Sequence, residues 1–142
     1  MVDASVAAKW LLPDEPDAEL AVVVLADFRE GRTALIAPNH LRYEVPSAVR
    51  AAYRTRRLTL PASRAAISQF LFWQVPTVDD ASLIEAGYEQ ALRFGCSFYD
   101  GVYLALAESL DCPLVFADLR LRNALGANFP RALWLTDYVP AG

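Results

Sequence analysis

The sequence predicts an α/β fold, a parallel sheet with helices on both faces, and three observations carry that prediction. Short apolar runs recur along the chain, at Met1-Val2, TALIAP, LVFA and ALWLT. Segments of helical period separate them, bounded by Pro, Gly or capping residues. Strands joined by helical crossovers run parallel and are covered on both sides, which is why they read as apolar without alternation. The length of 142 residues is that of one ordinary domain, spanning 1–142, with room for a sizeable core.

The elements follow in order. Met1 and Val2 form a very short strand ending at Asp3, and a helix runs from Ser5 to Leu12. Pro16 opens a second helix that stops at Arg29, before Gly31. Thr33 to Pro38 is an apolar strand, followed by a helix from about Asn39 to Arg56 in which Pro46 suits only the opening turn or a kink. Pro61 opens a helix through Phe72, and Asp79-Asp80 cap another that reaches Phe94 and stops at Gly95. In SFYDGVYLALAESL the residues Val102 to Ala107 are apolar without a polar face, as in a helix covered on most sides. Ser97 and Asp100 there have capping-box spacing, with Asp in place of Glu or Gln. Leu114 to Ala117 is a buried strand, Leu119 to Leu125 a short helix and Ala132 to Thr136 the last strand.

Composition narrows the function. The net charge of -4 does not announce a nucleic-acid binder, which usually shows a basic patch. No apolar run approaches the ~20 residues of a membrane span, and the basic-then-apolar design of a signal peptide is missing, so a cytoplasmic protein is expected. Cys96 and Cys112 lack a CxxC or His-rich context and read as reduced thiols in or near the core. YRTRRL gathers Arg54, Arg56 and Arg57, either as a solvated helix end favoured by the dipole or as a phosphate-contacting patch. The run Asp14, Glu15, Asp17, Glu19 reads as a solvated helix start, and His40 as a surface or capping side chain. Phe70, Leu71, Phe72 and Trp73 are consecutive, so at helical spacing they cannot all face one core.

The acids share an address. Ligands of open parallel sheets bind at the carboxyl ends of the strands, where MVDAS puts Asp3 and PLVFADLRL puts Asp118. Glu44 lies on an apolar helix stripe with Leu41, Ala48 and Ala51, and Asp100 stands in the first turn of a crossover helix, so all four can converge on that edge. Each also has a local explanation, Asp3 and Asp118 as caps, Asp100 as a dipole acid and Glu44 as a partly solvated one. Unit charges ~4 Å apart repel by ~1–4 kcal/mol per pair depending on the effective dielectric, a conflict that a divalent cation removes.

VDASVAAKWLLPDEP, YEVPSAV, SFYDGVYLALAE and VFADLRL, in this order and spacing, resemble the PIN-domain ribonuclease toxins of the VapBC toxin-antitoxin type over nearly the whole chain. The resemblance implies a three-layer α/β/α sandwich in which Asp3, Glu44, Asp100 and Asp118 form a magnesium or manganese site. It also implies cleavage of RNA, transfer RNA or another structured RNA, held inactive by a cognate antitoxin. On that reading Asp3 and Asp100 bind the ion directly, while Glu44 and Asp118 act through water, a second ion or orientation of the nucleophile. Ser5 reads either as support for an Asp or as a helix cap. Two positions depart from the family pattern: Phe116 where Thr or Ser is common, and Ser47 where Asn is common. The alternative is therefore a catalytically weak PIN-fold module that binds RNA or protein. A receiver domain or a haloacid-dehalogenase phosphatase fits poorly, since Lys9 is the only lysine and the first strand ends in DAS rather than DxD. A homodimer is expected in isolation, with the Phe70 segment facing a neighbouring helix, a second copy or the antitoxin.

Overall fold

Parallel hydrogen bonding begins at the second residue. In the computed structural model, which describes residues 1–141, Val2 pairs with Val115 in a parallel bridge, and its amide donates to the Ile36 carbonyl at 3.1 Å. On one side of Val2 lie β1 (Ala37–Pro38) and β2 (Thr77–Val78), paired Ala37 to Thr77 and Pro38 to Val78. On the other lie β3 (Leu114–Phe116) and β4 (Ala132–Trp134), paired Leu114 to Ala132 and Phe116 to Trp134. The spatial order is β2, β1, Val2, β3, β4, with β1 parallel to β2, Val2 and β4 parallel to β3, and the Val2–Ile36 hydrogen bond joining the two sets. Strand order reverses at Val2, and in open α/β sheets the crevice outside such a reversal is where ligands bind.

The helices are α1 (Ala4–Ala7), α2 (Ala18–Arg29), α3 (Leu41–Arg54), α4 (Leu60–Trp73), α5 (Ser82–Phe94), α6 (Phe98–Ser109) and α7 (Leu119–Leu125). The helix α6 crosses β1 and β3 with α5 packed on it, while α1, α2, α3 and α4 form the second helical group. The α5–α6 crossing is unusually close because glycine meets glycine. A Cβ at Gly101 would stand 2.1 Å from the Gly87 carbonyl oxygen, and one at Gly87 would stand 2.6 Å from Val102 Cγ2. Val102 to Ala107 are all buried, as expected of a helix without a polar face.

Several boundaries differ from the sequence reading. Only Ala37–Pro38 of the expected Thr33 to Pro38 strand joins the ladder, and Thr77–Val78 is a strand that two apolar-flanked residues were too short to announce. The last strand ends at Trp134, and a 3-10 turn takes Leu135–Asp137. The first helix tightens after one turn into a 3-10 turn, Ala8–Trp10. There the buried Lys9 donates to the Pro16 carbonyl at 2.8 Å and Trp10 Nε1 to the Ala21 carbonyl at 2.9 Å, which docks the 13–17 turn and α2. Pro46 sits inside α3, beyond its opening turn.

Candidate active site

Asp3 leaves the Val2 rung in extended conformation and caps α1, accepting the Ser5 amide at 3.0 Å. The Ser5 hydroxyl also donates to that carboxylate and accepts the Ala117 amide at 2.8 Å, so one serine ties the ends of two adjacent strands. Asp3 is 4% exposed. Burial pushes its carboxyl up to about 6, against the Ser5 hydrogen bonds and with help from the charge of Asp100.

Glu44 rises from the first turn of α3. The Tyr103 hydroxyl donates to its Oε2 at 2.9 Å, and His40 Nε2 lies 3.5 Å from the same oxygen. Burial pushes Glu44 up to about 7; Tyr103 opposes the shift, and the charges of Asp3 and Asp100 add to it. Asp100 makes the full capping box with Ser97: it accepts the Ser97 hydroxyl at 2.7 Å and the Ser97 amide at 3.3 Å, while its own amide donates to Ser97 Oγ at 3.1 Å. Asp118 caps α7, accepting the Arg120 amide at 2.7 Å and the Leu121 amide at 3.4 Å.

Glu44, Asp100 and Asp118 line one cleft of about 360 Å³, and Asp3 joins them electrostatically through Glu44 and Asp100. The local readings of the caps hold for all three aspartates. Asp3, Asp100 and Asp118 each cap a helix, and each stands where the acids gather. Among the described residues no three His, Cys, Asp or Glu side chains are close enough to enclose an ion as they stand: Asp3, Asp100 and Asp118 are each turned to a donor of their own segment, and Glu44 to Tyr103. The donor set is nonetheless all oxygen, and two of its carboxyls are held high by burial without a cation of the protein beside them. A hard divalent cation suits that set.

Tyr103 as the partner of Glu44 was not foreseen from the sequence, and His40, expected as a surface or capping side chain, stands at the N-cap of α3 without a capping hydrogen bond. His40 is half-buried, its ring 4.8 Å from Tyr103 and 5.1 Å from Tyr99. The His40–Glu44 spacing of four on one helix face was the signal available. Burial lowers the affinity of His40 for a proton. Phe116 is buried and edge-stacked on Trp134 at 5.4 Å, so its ring belongs to the core. Arg57 does not stand free for phosphate: it forks onto Asp14 at 2.6 and 2.9 Å and Glu15 at 2.6 Å, exposed ion pairs just past the end of α3. Phe70 is buried and Trp73 packs edge-on against Trp10 at 5.7 Å, whereas Leu71 and Phe72 are exposed. Cys96 and Cys112 are free and half-buried.

Comparison with known proteins gives one family. The PIN domain description matches residues 1–125. The chain is similar to Ribonuclease VapC9 of Mycobacterium tuberculosis, 32% identical over 119 residues that cover 80% of this chain and 92% of that protein. VapC ribonuclease Mb0985 of Mycobacterium bovis gives the same figures. Ribonuclease VapC1 of Mycobacterium tuberculosis is 33% identical over 129 residues, covering 80% of this chain and 92% of that protein.

Proposed function

The chain belongs to the PIN-domain family, and on that premise we propose that it is a metal-dependent endoribonuclease toxin acting through Asp3, Glu44, Asp100 and Asp118. The observation that supports this most is that Glu44, Asp100 and Asp118 line one cleft, with Asp3 buried at the end of the Val2 rung beside it. Asp3 and Asp100 would hold magnesium or manganese, with Asp118 at the cleft wall. Bound there, the ion lowers the pKa of a water and stabilises charge on the phosphate oxygens. Ser5 fixes Asp3 and couples it to the β3 end through Ala117. Tyr103 holds one oxygen of Glu44, which leaves the other for a water. The weak-module alternative drew on Phe116, whose ring faces the core rather than the cleft.

A toxin of this type needs an inhibitor. The exposed Leu71 and Phe72 on α4 offer an apolar face for a small antitoxin or a second copy of this chain. The direct test is sequencing of RNA 5′ ends after brief induction, with Asp100→Asn as control. New ends at defined sites in the wild type and none in the variant are expected; identical end profiles would remove the ribonuclease reading.

A further inference from the structure

A second cleft, of about 210 Å³, opens beside the acids, and its walls are aromatic. It lies past the last residues of β1 and β2, Pro38 and Val78, at the same carboxyl edge as the acid site. Tyr99 and Phe98 wall it from the start of α6, with ring centroids 6.0 Å apart, and Tyr43 projects from α3. These rings are not sequestered: Tyr43 is 72% and Tyr99 55% exposed. The half-buried His40 lines this cleft and reaches toward the other, its ring 5.1 Å from Tyr99 and its Nε2 3.5 Å from Glu44. The two clefts are thus adjacent, joined by the His40–Glu44 contact, and Tyr99 of one is the chain neighbour of Asp100 of the other.

The rim decides what such a cleft accepts. Asp79 and Asp80 stand on it, exposed, and repel phosphate or any other anion. A neutral planar ring that carries N–H donors suits both features, stacking on the aromatic faces and donating to a carboxylate. On the ribonuclease reading above, we propose that this cleft is a base subsite: it takes one unpaired nucleotide next to the scissile phosphate, stacked on Tyr99 and Tyr43, with guanine preferred because its pairing edge presents N–H donors to Asp79. Hydrolysis then falls at a fixed distance from an unstacked base, which makes these tyrosines determinants of cleavage position. Specific recognition of RNA rests largely on such splayed bases.

The test uses the noncleaving Asp100→Asn chain and single-stranded RNA hexamers in which each position in turn is abasic. Tyr99→Ala and Tyr43→Ala should each weaken the intact guanine-containing hexamer about tenfold, the effect of losing one stacking partner. Tyr99→Phe should keep the affinity, and at one position the abasic hexamer should bind weakly and be indifferent to Tyr99→Ala. In the cleaving chain Tyr99→Ala should shift or blur the cleavage site, and Asp79→Asn should abolish the guanine preference. Equal losses on intact and abasic RNA would overturn the subsite, as would a change of sedimentation coefficient in Tyr99→Ala, which would give the cleft to a second copy. Wild-type cleavage at unchanged sites in both tyrosine variants would overturn the subsite alone, whereas no cleavage of any RNA by the wild type would overturn the ribonuclease reading beneath it.

Discussion

Two buried aspartates in this protein have opposite fates. Asp27, on α2, is fully enclosed and receives Arg32 Nε and Nη2 at 2.8 and 2.6 Å, the Tyr138 hydroxyl at 2.7 Å and the Ala141 amide at 2.9 Å. The Ala141 amide, then Tyr138 and Arg32, hold its carboxyl below the usual range. Asp3 is almost as buried, yet only Ser5 donates to its side chain, and its carboxyl is pushed up to about 6. A carboxylate that the fold neutralises ties structure together, here the C-terminal segment to α2. One that the fold leaves charged beside Glu44 and Asp100 is held ready for something from outside.

The comparison breaks first in activity. Asp3→Asn is expected to reduce RNA cleavage by more than about 10²-fold while the circular dichroism spectrum stays native, whereas Asp27→Asn should leave the rate per folded molecule unchanged. An active Asp3→Asn enzyme would make the two aspartates equivalent. In melting temperature the order reverses. Asp27→Asn removes the buried one of Arg32's two carboxylate partners, the other being Glu30, and weakens a hydrogen-bonded cluster in the interior, so it should lower the midpoint by several °C, while metal-free Asp3→Asn should melt at or above the wild type. Scanning calorimetry on both variants decides it.

Cation linkage sharpens the same contrast. Manganese at about 100 times its dissociation constant adds ~2.7 kcal/mol to stability, so the wild-type midpoint should rise and that of Asp3→Asn should rise less. A flat titration in the wild type removes the ion from the site. The pH dependence has a definite sign. Asp3 binds protons more tightly folded than unfolded, from 3.8 unfolded to about 6 folded, and Glu44 likewise from 4.5 to about 7. The metal-free fold therefore holds more protons between pH 4 and 7 and loses stability as pH rises through that window, by about 2 kcal/mol for Asp3. Asp27, held low, works oppositely: its stabilisation is present above the unfolded value and is lost as pH falls through the folded one. The wild-type melting temperature, compared with Asp3→Asn at pH 4.5 and pH 8 in chelator, should show a gap only at the higher pH. The smallest effect is expected at Arg57, whose ion pairs with Asp14 and Glu15 are exposed. Arg57→Ala should move the midpoint by only about 1–2 °C and leave the salt slope of RNA binding unchanged.

Much of this was legible in the residues. The α7 bounds, the Ser97–Asp100 box, the covered α6 and the two aspartates closing strands follow from local patterns that packing does not override. The two-residue strand Thr77–Val78 was invisible because a ladder that short has no period, and it exists only because Ala37–Pro38 offers a partner. The contacts of Arg57 and His40 were hidden for a related reason. Their partners, Asp14 and Tyr99, lie 43 and 59 positions away, beyond the reach of any helical spacing. Asp27 drew no notice, since one acid on an apolar helix says nothing of a tyrosine near the other end of the chain.

The serine that links Asp3 to Ala117 spans 112 positions of sequence, and so does the first closure the site depends on. Contacts of such separation are slow to form, since the loop entropy is lost before the contact returns anything. A growing chain that has not yet supplied β3 has neither the Val2 bridge nor the Asp118 wall, whatever its helices have done. The carboxylate cluster thus comes into being with the last third of the polypeptide rather than gradually. The site is completed only when residues beyond Leu114 have been made.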